Sequence, residues 1–130
     1  AVVVTTPQDI ALIDAKKGLR MFQKVNVPIL GIIENMSVFI CPHCGEVEHI
    51  FGEGGAKRMS EQYGVPLLGE LPLSAKIREQ ADSGLPTVAA EPDGKEALMY
   101  REMAMKVAGA LARITKDYTA KMPGIRVVND

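Results

Sequence analysis

The stretch AVVVTTPQDIALIDAKKGLRMFQKVNVPILGIIEN, residues 1–35, sets two apolar runs on either side of an amphipathic segment. Val2 to Thr5 is β-branched without alternation, the pattern of a strand buried on both faces of a parallel sheet. Pro7 ends it. From Ile10 to about Phe22 the residues Ile10, Leu12, Ile13, Ala15, Leu19 and Phe22 recur at helical spacing. Lys16, Lys17, Arg20 and Lys24 fall mostly on the other side. Pro28 then opens PILGIIEN, a second buried strand. Strand, helix and strand in this order form a βαβ unit with a right-handed crossover.

The pattern continues outward. GEGGAKRMSEQYG (52–64) reads as a helix in which Ala56, Met59 and Tyr63 share a face and Gly64 supplies the stop. VPLLGELP (65–72) is a third strand. SAKIREQADSG (74–84) is a short helix with Ser74 as N-cap. A last helix runs from about Lys95 to Ile114, with Met99, Met103, Val107, Ala110, Leu111 and Ile114 as its expected buried stripe. The reading is α/β: an open, mostly parallel sheet with flanking helices over 1–115, including a cysteine loop at 38–50. Residues 116–130 are expected to be a partly ordered tail. Because residue 1 starts inside a strand, the chain reads as a fragment whose preceding half is missing. Its sheet is then expected to expose an unpaired edge that invites association.

Composition narrows the function classes. The 130 residues carry 15 basic against 16 acidic side chains, and no Lys/Arg run argues for nucleic acid or an anionic membrane surface. The apolar runs fall short of the ~20 residues that a membrane span needs. Aromatics are 5% and Trp is absent, which disfavours stacking platforms for single strands. Two cysteines without a signal-like start read as reduced and cytoplasmic rather than as a disulfide framework.

Ligands of open parallel sheets bind outside the carboxyl ends of the strands. Those ends are TTPQD (5–9), ENMS (34–37) and ELPLS (70–74). Asn35 offers a carboxamide that matches the edge of adenine, and serves equally as a capping Asn that turns the chain out of the strand. Gly52, Gly54, Gly55 and Lys57 do not meet the spacing of a phosphate loop, so they read as a turn into a helix, with a weak anion contact left open.

CPHCG, residues 41–45, holds both cysteines of the chain. One reading is a thiol–disulfide oxidoreductase, but GEVEHIFG after it does not continue as a helix. A second is a metal knuckle: Pro42 pre-bends the loop, Gly45 takes positive φ, and backbone N–H groups turn towards the thiolates. Cys41 and Cys44 then supply two soft ligands for zinc or an iron–sulfur cluster, with His49 a candidate third. His43 reads as an exposed loop residue. A two-fold axis beside the loop would complete a four-thiolate site from two copies. The bland reading is a pair of unligated cysteines.

With these segments assembled, the sequence resembles the Mrp/ApbC-type P-loop ATPases, iron–sulfur cluster carriers of deviant Walker type related to MinD and the nitrogenase iron protein. TTPQD, ENMS and C-P-x-C-G in this order carry the resemblance, which covers residues 1 to about 113. It implies a homodimer bridging a labile [4Fe–4S] cluster through Cys41 and Cys44, passed to apo iron–sulfur proteins and coupled to ATP with Mg²⁺. It also implies that Asn35 contacts adenine and that the backbone around Pro72 flanks the base. The family's phosphate loop and acidic magnesium-binding segment do not occur here, so this chain alone is not expected to hydrolyse ATP. A structural zinc-binding dimerisation module remains the alternative.

Overall fold

The computed structural model describes residues 1–114; the expected tail at 116–130 lies outside them. The chain runs β1 (Val2–Thr5), α1 (Asp9–Lys24), β2 (Gly31–Glu34), β3 (Phe39–Ile40), β4 (Val47–Glu48), α2 (Gly55–Tyr63), β5 (Leu67–Glu70), α3 (Ala75–Asp82), α4 (Thr87–Ala90) and α5 (Lys95–Ala112). β1, β2 and β5 form a parallel sheet in that order, and β3 pairs with β4 as an antiparallel hairpin. The three expected strands and four expected helices are therefore present. The hairpin and the single turn α4 are additions.

Each element has a local reason. Ser74 accepts a hydrogen bond from the Ile77 N–H and starts α3. Gly64 closes α2 in the left-handed region at φ 63°, and its N–H donates to the Ser60 carbonyl. Val3, Ile32 and Leu67 stand in one row across the sheet. That row packs with Leu12, Leu19, Ala56 and Met59 from α1 and α2, forming the core. α5 covers β5, where Gly69 leaves no room for a side chain beneath Met103.

Two burial expectations fail for a common reason. Val4 is 60% exposed and Ile10 is 76% exposed, so β1 is not buried on both faces. α5 packs on β5 and leaves that face of β1 open, while Ile10 and Ile13 point away from the core that Leu12 and Leu19 enter. The outer edge of β1 is unpaired among the described residues, as expected. In α5, Met103 is buried but Leu111 is 58% exposed. The other buried residue of the helix is Ala97, and the helix meets β5 through Met103 over Gly69 and through Lys106, whose ammonium donates to the Leu68 carbonyl.

Close packing makes Gly31 a sensitive position. A Cβ there would overlap the Leu68 side chain and lie 2.7 Å from the Pro66 carbonyl oxygen. Gly31→Ala is expected to cost about 1–3 kcal/mol, as overpacking does. Urea denaturation of the variant with an unshifted midpoint would contradict this packing.

Candidate metal and nucleotide site

β2 and β5 stay hydrogen-bonded after the sheet ends. Leu71 N–H donates to the Glu34 carbonyl at 2.8 Å, Ser37 N–H to Leu71 at 2.9 Å, and Leu73 N–H to Val38 at 2.8 Å. The Ser37 hydroxyl adds a 3.1 Å bond to the same Leu71 carbonyl, and Phe39 forms a parallel bridge with Leu73. The strand-end segment ENMS and the segment ELPLS therefore run side by side. Asn35 and Pro72, which the resemblance assigns together to the adenine base, sit on these two paired stretches.

Asn35 is half-buried, and its N–H donates to the Thr5 carbonyl at 2.7 Å. Its carboxamide oxygen accepts the Met36 N–H at 2.9 Å, and Met36 takes a positive φ of 56°. This is the turn role. The carboxamide NH₂ has no partner among the described residues, so one side of the group remains for a ligand.

The cysteines occupy the tip of the β3–β4 hairpin. Cys41 N–H donates to the Glu46 carbonyl and Gly45 N–H to the Cys41 carbonyl, both at 2.9 Å, with Gly45 at φ +76°. Both cysteines are free, Cys44 exposed and Cys41 half-buried. The Cys44 backbone N–H is directed at the Cys41 sulfur, followed in effect by the His43 N–H and the Cys44 side chain. Together they hold the Cys41 thiol below the ordinary range, against the opposing effects of slight burial and the Glu48 charge. The knuckle is thus preorganised for thiolate. It is a hairpin, not a helix N-terminus, which removes the geometry a C-x-x-C redox site uses.

His49 is not brought to the cysteines. Its Nδ1 lies 3.3 Å from the Ser37 carbonyl oxygen, at the base of the hairpin, and its Nε2 is 3.9 Å from Glu53. Among the described residues no third His, Cys, Asp or Glu joins a potential metal cluster. His43 is exposed, as read. One chain offers two donors and stops there.

The glycine cluster has a structural explanation. Gly52 and Gly54 adopt φ of 97° and 65°, and Gly55 lies so close to the β1–α1 turn that a Cβ would approach the Pro7 carbonyl oxygen to 2.9 Å. The anion slot at the start of α2 is already filled. Glu34, 1% exposed, accepts the Ala56 N–H at 2.6 Å through its carboxylate. The weak anion contact left open at this helix start is therefore met from within the chain.

Sequence reasoning passed over Glu34. The available signal was an acid closing the otherwise apolar run GIIE, where a solvated charge has no place. The hairpin was missed because its strands are two residues each, although Phe39 to Ile40 and Val47 to Glu48 flank the loop symmetrically.

Comparison with known proteins follows this geometry. A parallel sheet with flanking helices makes this an α/β chain of the class whose ligands bind at the carboxyl ends of the strands. The profile of the family described as ParA, NUBPL iron-transfer P-loop NTPase matches residues 1–108. The chain belongs to this family. It is 57% identical over 105 residues to the iron–sulfur cluster carrier protein of Pseudomonas fragi, covering 81% of this chain and 37% of that protein. It thus spans a little over a third of that relative's length.

The fold is similar to a nucleotide-binding protein from Archaeoglobus fulgidus in complex with ADP, with TM-score 0.60 and 31% identity over 77% of this chain and 40% of that one. It is also similar to the cell division ATPase MinD of Pyrococcus furiosus, with TM-score 0.65 and 27% identity over 84% and 42%. Among the described residues no helix is long and apolar enough to cross a membrane.

Two outcomes follow from the geometry. Glu34→Ala leaves the Ala56 N–H unpaired beside a new cavity and is expected to cost about 2–4 kcal/mol, with Glu34→Gln milder because its amide oxygen can still accept. Equal thermal stabilities of the two variants would remove the capping role. In the metal-free chain, iodoacetamide labelling of Cys41 should rise with a midpoint below that of free cysteine, since a depressed pKa populates thiolate at lower pH. A midpoint at or above free cysteine, read by peptide mass mapping, would show that the loop N–H groups do not stabilise the sulfur.

Proposed function

We propose that this chain is the cluster-holding and base-recognising portion of an iron–sulfur cluster carrier. Two copies present Cys41 and Cys44 across a two-fold axis, bridge a labile [4Fe–4S] cluster as cargo, and release it to apo iron–sulfur proteins. The supporting observation is the knuckle itself: two preorganised thiol donors at an exposed hairpin tip, with no further donor from the same chain among the described residues. Four thiolates from two chains complete the coordination that such a cluster takes. The family match and the relative named as a carrier support the same reading.

ATP with Mg²⁺ is the proposed driver. The free side of Asn35 and the backbone around Pro72 would hold the adenine ring between the paired strand ends. The phosphates need a cradle, a lysine and the metal, and the start of α2 is not that cradle because Glu34 occupies it. Hydrolysis is therefore not assigned to this chain alone. Free thiols suit a reducing compartment such as the cytoplasm; neither nucleic acid nor a membrane enters this reading.

Anaerobic reconstitution with iron and sulfide tests it. The expected product is a brown dimer with about four irons per two chains, lost in both Cys41→Ala and Cys44→Ala together with dimerisation. A colourless protein retaining zinc would make the site structural, and iron retained by either variant would overturn the bridging arrangement.

A further inference from the structure

Beside the hairpin lies a groove of about 650 Å³, walled by Phe39, Ile40 and Pro42 on one side and by Leu73 and Ala75 on the other. We propose that this groove is the docking site for the recipient polypeptide, and that it takes an apolar anchor flanked by Lys or Arg. The proposal rests on the carrier reading above.

Position is the first argument. Ile40 and Pro42 are the neighbours of Cys41 in the chain, so whatever fills the groove lies within one residue of that position. Cluster transfer is ligand exchange without change of oxidation state. Each recipient thiol gives up its proton and bonds iron, while Cys41 or Cys44 leaves iron and takes a proton. The exchange requires the recipient's thiols beside these two, and a groove adjoining Cys41 supplies that proximity.

Composition is the second. The floor is apolar and includes Ile40, 52% exposed, a residue that water does not favour. The rim is acidic. Lys76 pairs with Glu91 and Arg78 with Glu79 and Asp82, so among the described residues along this edge these three acids and Glu96 outnumber the two cations. Glu48 stands opposite the groove residue Phe39 in the hairpin and adds a carboxylate nearby, and bound thiolates add further negative charge.

Charge selects the occupant. A second copy would bring the same acidic rim to this one, and like-charge juxtaposition at an interface is costly. A basic segment reverses the sign, and its encounter is accelerated by the field.

The test uses the metal-free 130-residue chain, ¹⁵N-labelled, titrated with a synthetic peptide whose Leu-Phe-Leu centre is flanked by Lys and Arg. Shifts should centre on Ile40, Leu73 and Ala75. Joint charge reversal, Glu79→Lys with Glu96→Lys, should weaken binding about tenfold or more. Ala75→Trp, at an exposed first-turn position of α3, should abolish binding by filling the groove without altering charge, which keeps the test alive if the double variant folds poorly.

Equal binding of a Glu-flanked counterpart would overturn the proposal, as would shifts mapping elsewhere. Groove signals that move with protein concentration alone would assign the surface to a second copy, and overturn it too. Because no cluster is needed, a failed reconstitution counts against the carrier reading and leaves the groove result separate.

Discussion

The structure depends on hydrogen bonds that outlast the sheet. β2 and β5 finish at Glu34 and Glu70, yet their exits remain paired through Leu71, Ser37, Val38 and Leu73. A parallel pair normally splays where its strands end, freeing the loops. Here the continued ladder suspends the cysteine hairpin from the sheet and fixes Asn35 beside the stretch that contains Pro72. Short strands of two residues would not hold a hairpin alone in water. Phe39 bridging to Leu73 gives this one an anchor.

Glu34 secures the other side of the same junction. A carboxylate that is 1% exposed must find donors, and the start of α2 supplies one at 2.6 Å. The interaction joins the central strand to the helix that follows the hairpin, so the loop carrying His49 leaves and returns at fixed points. His49 then reaches the Ser37 carbonyl at the hairpin base. A residue considered as a metal ligand thus serves as a support for the cysteine hairpin.

Much of the fold was legible because its signals are local. β1 emerges over the predicted Val2–Thr5, and Gly64 stops α2 where a left-handed residue was required. Periodicity also found α1 and α5. It failed on which face each presents, since Ile10, Ile13 and Leu111 are apolar yet lie away from the elements that bury Leu12, Leu19 and Met103. That choice is made by tertiary packing, which a single helix does not encode. At the candidate site, the positive φ expected of Gly45 is observed, and Cys41 and Cys44 share one hairpin tip. The capping acid showed only as an acid closing GIIE, and its partner Ala56, 22 residues away, was not legible.

The half-complete knuckle bears on how tightly cargo can be held. A chain with four ligands binds metal with an affinity independent of its own concentration. A chain with two needs donors from elsewhere, and in the proposed dimer retention falls with dissociation by mass action. The loop's electrostatics point the same way: N–H groups of Cys44 and His43 favour the Cys41 thiolate, while Glu48 works against it. A permanent structural site gains from closing its coordination within one chain. A carrier gains from leaving it open, since the step that loosens the dimer also exposes the cluster's ligands to exchange.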